Sequence, residues 1–107
     1  MYRNEIIQLE EVTNHVDEYG DVVKTSTWKE VFAEVKDITT SEFYQAHSSG
    51  LLPVYKFIIN ADEYNRKVNG LHIKYDDEVF RIIRTYKKDE WNLELTVEAD
   101  VHMGEGV

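Results

Sequence analysis

Residues 91–99, Trp91-Asn92-Leu93-Glu94-Leu95-Thr96-Val97-Glu98-Ala99, decide the fold class. Every odd position is apolar and every even position polar, for nine residues without a break. A period of two is that of a strand with one face in a core and the other in water. The pattern continues upstream. Phe80, Ile82, Arg84 and Tyr86 alternate with Val79, Arg81, Ile83 and Thr85; Leu71, Ile73 and Tyr75 alternate with His72 and Lys74. The step between them, Asp76-Asp77-Glu78, is short and polar and predicts a tight hairpin. Residues 54–60 place Tyr55, Phe57 and Ile59 on one face, Val31, Ala33 and Val35 alternate in the same way, and Ile7 and Leu9 mark a first strand over residues 5–12. The loop from His15 to Asp21 carries Gly20 where a positive φ is expected. These segments predict an all-β chain, a small antiparallel β-barrel or sandwich of about six strands. Its expected core is Ile7, Leu9, Val31, Ala33, Val35, Tyr55, Phe57, Ile59, Leu71, Ile73, Phe80, Ile82, Trp91, Leu93, Leu95 and Val97.

One stretch breaks the rhythm. In Thr39-Thr40-Ser41-Glu42-Phe43-Tyr44-Gln45-Ala46-His47-Ser48-Ser49-Gly50 nothing alternates. Thr39 followed three residues later by Glu42 is a capping box, Phe43, Ala46 and His47 fall on one side of a short helix, and Gly50 suits a left-handed terminating position with Pro53 just beyond. A helix of about eight residues is not stable alone, so it must lean on its own sheet or on another molecule. Helix is expected only in this insertion.

Bulk properties set the bounds. The 107 residues predict a single domain over 1–107, with an insertion loop over about 38–53 and a flexible tail over about 101–107. There is no cysteine, which excludes disulfides and thiolate metal sites. The first residues lack the apolar core of a secretory leader, and no apolar run approaches a membrane span, so a soluble protein made in the cytoplasm is expected, with no membrane partner. The formal net charge is −9, of which −6 falls in residues 1–50. A chain this acidic is repelled by phosphate backbones, which argues against tight non-specific binding of DNA or RNA.

The search for chemistry is negative. His15, His47, His72 and His102 show no metal-ligand spacing, and His72 reads as a surface histidine. No Gly-rich phosphate loop occurs, the Asp76-Asp77-Glu78 cluster is explained by a turn, and no nucleophile, base and orienting group stand out. No catalytic, cofactor-binding or metal residues are assigned, and no cofactor is expected. Exposed aromatics are the more suggestive feature. Tyr19, Phe43, Tyr44 and Tyr64 lie in or beside loops, either closing the ends of a barrel or anchoring an interface.

The order of segments resembles a known family. DEYGDVVKTSTWKEVFAEV (17–35), SEFYQA (41–46), YKFIINADEY (55–64) and IKYDDEVFRIIRTYKKDEWNLELTVE (73–98) are similar, in sequence, to the successive motifs of the tailed-phage head–tail joining family, also called head-closure, head-completion or stopper proteins. The likeness covers about residues 5–100. It departs at Asp76-Asp77, where a glycine is common, and this leaves the hairpin type open. The resemblance implies a structural virion protein, not an enzyme. It implies a homo-oligomeric ring, six- or twelve-fold, in the head–tail connector, with the portal or adaptor above and the tail terminator or tail tube below. Packaged double-stranded DNA would pass through without sequence-specific binding. The same resemblance sends residues 38–53 out of the barrel, toward the channel or a neighbouring subunit, with Glu42, Phe43, Tyr44, Gln45 and His47 as contact residues. Tyr19, Gly20 and Asp21 are expected to make a second contact. Two rival readings are a tail terminator or other connector component, and an acidic small-barrel module that mimics nucleic acid.

Overall fold

The computed structural model describes residues 5–65 and 69–100; the expected flexible tail over 101–107 lies outside the described residues. Six strands, β1 (Glu5–Val16), β2 (Val22–Asp37), β3 (Pro53–Asn60), β4 (Asn69–Tyr75), β5 (Glu78–Lys87) and β6 (Asn92–Ala99), form a closed antiparallel barrel in the order β1-β2-β3-β6-β5-β4. Closure removes the sheet edges that a sandwich would leave open. One helix, α1 (Thr40–His47), joins β2 to β3. A single 3-10 turn at Ala61–Glu63 adds helical geometry outside the insertion, where none was expected.

Alternation builds the interior. Each strand sends every second side chain inward: Ile7 and Leu9, Val31 and Ala33, Phe57 and Ile59, Ile73, Phe80 and Ile82, Leu95 and Val97. Val35, Tyr55, Tyr64, Tyr75 and Leu93 pack against them. Tyr55, Phe57, Tyr75 and Phe80 interlock near the end where β3 and β5 begin, with ring centroids 5.3–6.4 Å apart.

Two expected core residues are in solvent. Trp91 is 73% exposed because the β3–β6 ladder begins at Asn60↔Asn92, so Trp91 has the parity of the core but stands above the rim. Leu71 is 57% exposed; the last β4–β5 pair is His72↔Arg81, and beyond it a groove lined by Leu71, Ile82, Ile83 and Arg84 opens between the two strands. Conversely, Ile58 is fully buried on the outer parity, flanked across the ladders by Glu34 and Glu94.

A bulge corrects the reading of β5. Its register to β6 slips between Ile82↔Val97 and Arg84↔Thr96, leaving Ile83 as the extra residue. An extra residue inverts the alternation beyond it. Phe80 and Ile82 therefore point inward, whereas Arg84 and Tyr86, expected on the same face, are exposed.

Both tight turns follow local chemistry. Asp76 and Asp77 have φ of 51° and 63°, so the β4–β5 hairpin is closed by a two-residue turn of the I′ kind, with aspartate accepting the left-handed geometry that glycine usually takes. Gly20, at φ +85°, closes the β1–β2 loop.

Candidate functional site

The direction of the strands sorts the connections onto two ends of the barrel. The β1–β2 loop, the β3–β4 crossover and the β5–β6 turn share one end; α1 and the β4–β5 turn share the other. The two sets of residues expected to make contacts, 42–47 and 19–21, therefore lie at opposite ends.

At the α1 end the capping box forms as the sequence dictates. Thr39 Oγ1 accepts from the Glu42 amide at 3.2 Å, and Glu42 Oε1 accepts from the Thr39 amide at 3.2 Å. Gly50, at φ +80°, ends the segment, its amide donating to the His47 carbonyl. Nothing in the helix is buried. One strong tie fastens it to the wall: Lys56 Nζ on β3 donates to both Glu42 carboxylate oxygens, at 2.8 and 3.0 Å. That bond, aided by Thr39 and opposed by partial burial, lowers the Glu42 pKa from 4.5 to about 2. Glu42 and Gln45 thus face a groove whose other side is Pro53, Ile83, Arg84 and Thr96.

The aromatic side of α1 is turned away from this tie. Phe43 packs edge-on to Tyr44 and stacks on His47, with centroids 5.9 and 5.8 Å apart. Tyr44 is 68% exposed, and the pair borders a second groove with Ile38, Pro53 and Val54. The arrangement gathers two aromatic rings and an imidazole on one side of a short capped helix.

At the other end the sequence reading missed the larger feature. β1 and β2 pair continuously from Glu5↔Ala33 to Val16↔Val22. The outer edge of β1, however, pairs with β4 only as far as Glu11, and that of β2 pairs with β3 only from Glu34 onward. The hairpin between them leaves the barrel as a two-stranded arm. The molecule is accordingly long, 52 × 33 × 24 Å, with a radius of gyration of 15.1 Å against about 13 Å for a compact chain of this length. The signal lay in Thr13-Asn14-His15 and Lys24-Thr25-Ser26-Thr27, which have β-compatible residues but no apolar face to bury. Tyr19, Gly20 and Asp21 form the tip of this arm. Asp17 Oδ1 accepts from the amides of Tyr19 and Asp21, both at 2.9 Å, so the tip is a defined turn.

His72 is not a bare surface histidine. Its Nδ1 lies 3.0 Å from Glu10 Oε1 and its Nε2 2.8 Å from Asp100 Oδ2, both carboxylates being nearly buried. Gly70 makes room for this clamp, since a Cβ there would run into the Glu10 carboxylate. The two carboxylates sit on opposite ring nitrogens and do not converge, and no cluster of three or more His, Asp or Glu residues able to hold a metal occurs among the described residues. The clamp joins β1, β4 and the end of β6 and reads as structural.

The comparisons with known proteins agree with this architecture. No curated protein matches the chain. Among solved structures, the solution structure of protein SF1141 from Shigella flexneri 2a is similar, with a TM-score of 0.64 and 18% identity over 92% of this chain and 93% of that one. At that identity the likeness concerns the fold. The model of the phage head completion protein family matches residues 3–101. With all six strands of the barrel inside that match, the chain belongs to the phage head completion protein family.

Proposed function

We propose that this protein assembles as a ring in the head–tail connector, closes the DNA-filled head and presents the attachment site for the tail. Membership of the family makes it a structural, non-enzymatic component of the virion that acts in head completion. The ring, its place below the portal or adaptor and above the tail, and the residues that make its contacts are the proposed part. A single observation carries it: a capped helix with no buried residue, bearing exposed Tyr44 and half-exposed Phe43, is inserted into an otherwise continuous barrel. A short helix of this kind has too little packing of its own to justify the insertion, which suits it to a neighbour. Phe43, Tyr44 and His47 supply the contact surface in this reading, while Glu42 anchors the segment to its own barrel through Lys56. The net charge of −9 supports a subunit past which DNA moves without adhering.

The test is the double substitution Phe43→Ala with Tyr44→Ala, measured in two ways. The unfolding midpoint should change little, while heads completed with the variant leak DNA or fail to take tails. Unfolding of the domain, with the ~3–5 kcal/mol per residue of core aromatics, would make the two rings core residues. Unchanged stability together with unchanged head completion would make the segment a spacer and place the function elsewhere.

A further inference from the structure

Asn69-Gly70 is the one asparagine–glycine pair in the sequence. It opens β4 at the root of the β1–β2 arm: Glu11↔Asn69 is the last pair of the β1–β4 ladder, and beyond it the arm leaves the barrel. An asparagine followed by glycine sets an electrophile, the side-chain Cγ, next to an amide nitrogen that no Cβ shields. Both residues are fixed by their surroundings. Position 70 favours glycine, because a Cβ there would displace the Glu10 carboxylate from its contact with His72. Position 69 needs a carboxamide. Its Oδ1 accepts from the Asn65 amide at 2.7 Å, and its Nδ2 donates to the Glu10 carbonyl at 3.2 Å. A carboxamide supplies both an acceptor and a donor, whereas a carboxylate has no proton to give the carbonyl. The Asn69 amide adds a third bond, donating to the Asn65 carbonyl at 2.7 Å. Packing at the arm root therefore imposes a chemically labile pair.

We infer that Asn69 is a site of spontaneous deamidation, kept unreacted by the fold of the arm root, and that its reaction loosens the arm from β4. The Gly70 nitrogen gives its proton to solvent base and attacks Asn69 Cγ. A C–N bond forms to close a cyclic imide, the Cγ–Nδ2 bond breaks, and ammonia leaves with a proton taken back from solvent. One water then opens the imide at either carbonyl, giving aspartate or isoaspartate. No oxidant, reductant or cofactor enters.

The fold opposes the first step in two ways. The attack requires the ψ of Asn69 to swing away from the roughly +135° of an antiparallel strand, where pairing with Glu11 holds it. It also requires the carboxamide to turn toward Gly70 and give up its bonds to Asn65 and Glu10. Once the reaction has occurred, the same surroundings work against the strand. A carboxylate at position 69 leaves the Glu10 carbonyl without its donor and puts a second negative charge close to the Glu10 side chain. Isoaspartate also inserts an extra main-chain carbon into a strand whose register is set by its pairing. The consequence falls at Glu11↔Asn69, the pair that fastens the arm, and is independent of the ring proposed above.

The test follows, by peptide mass spectrometry, the full wild-type chain kept in mildly alkaline buffer, native or unfolded in urea. In urea the peptide holding Asn69 should exchange its amide for an acid well ahead of those holding Asn14, Asn60 and Asn92. In the native protein its rate should fall at least about tenfold, as for a reaction that needs local opening. Equal rates in the native and unfolded chain overturn the protection, and an Asn69 peptide that reacts no faster than the others in urea overturns the site. The effect on the arm is read from Asn69→Asp, which carries the aspartate product. Amide exchange over residues 10–16 should rise about tenfold, the loss of one hydrogen bond at a partly buried carbonyl, while Phe57 and Leu95, in the β3–β6 ladder, keep their protection. Unchanged exchange in the arm, or an equal loss of protection at Phe57 and Leu95, overturns the loosening of the arm.

Discussion

Replacing Glu42 by glutamine should release α1 from the barrel without unfolding the barrel. The carboxylate is the acceptor for Lys56 Nζ at 2.8 and 3.0 Å and the second half of the capping box with Thr39. Moving a carboxyl from 4.5 to about 2 corresponds to about 3 kcal/mol of preference for the ionised form. The Glu42 side chain is 32% exposed, and screening by solvent reduces the usable part to about 1–2 kcal/mol. Because no residue of the helix is buried, this loss falls on the docking of the segment. The assay is amide hydrogen exchange. Protection of the Phe43, Ser48, Gly50 and Leu51 amides, all hydrogen-bonded within the segment, should fall by about 5- to 30-fold, the equivalent of that energy. Amides of Phe57 and Leu95, in the ladder between β3 and β6, should change less than about twofold. The pH dependence has a definite sign. The pKa is depressed in the folded state, so the stabilisation is complete above about pH 4.5 and is lost as the pH falls toward about 2. The wild-type segment should come to exchange like the variant across that window. An equal loss of protection in β3 and β6 would refute the reasoning, since the insertion would then be part of the cooperative unit; unchanged protection of α1 would refute the role of the Glu42–Lys56 bond.

Leu95→Ala should cost about 2–5 kcal/mol in chemical denaturation because its side chain is fully enclosed, whereas Trp91→Ala should cost no more than about 0.5 kcal/mol as an exposed substitution. Asp77→Gly should raise stability by about 0.5–1 kcal/mol by relieving the left-handed backbone at φ 63°, with a rise in the thermal midpoint as the readout. His72→Leu should lower stability by about 1–2 kcal/mol through loss of its hydrogen bonds to Glu10 and Asp100. In a double-mutant cycle, Gly70→Ala, which displaces the Glu10 carboxylate, should then cost less in the His72→Leu background than in the wild type.

Much of the molecule was set by local chemistry and is visible in the sequence. Period-two alternation placed Ile7, Leu9, Val31, Ala33, Phe57, Ile59, Ile73, Leu95 and Val97 in the interior, because side chains on a strand have only two directions to take. The capping box at Thr39 and Glu42 and the left-handed positions at Gly20 and Gly50 are likewise properties of a few adjacent residues. The ordered motifs carried the family resemblance for the same reason. Closure of six strands into a barrel depended on which strands pair, a relation between distant residues that alternation does not encode. Trp91 and Leu71 have core parity but lie beyond the last paired residues of their ladders, and parity is blind to where pairing ends. The bulge at Ile83, which turns Arg84 and Tyr86 to the surface, and the arm, whose strands outrun their neighbours on both sides, exist only in the register between strands. The direct contacts of the Glu10–His72–Asp100 clamp span 62 and 28 positions of the chain. Such contacts are fixed by the simultaneous pairing of β1, β4, β5 and β6, and only the folded barrel brings them together.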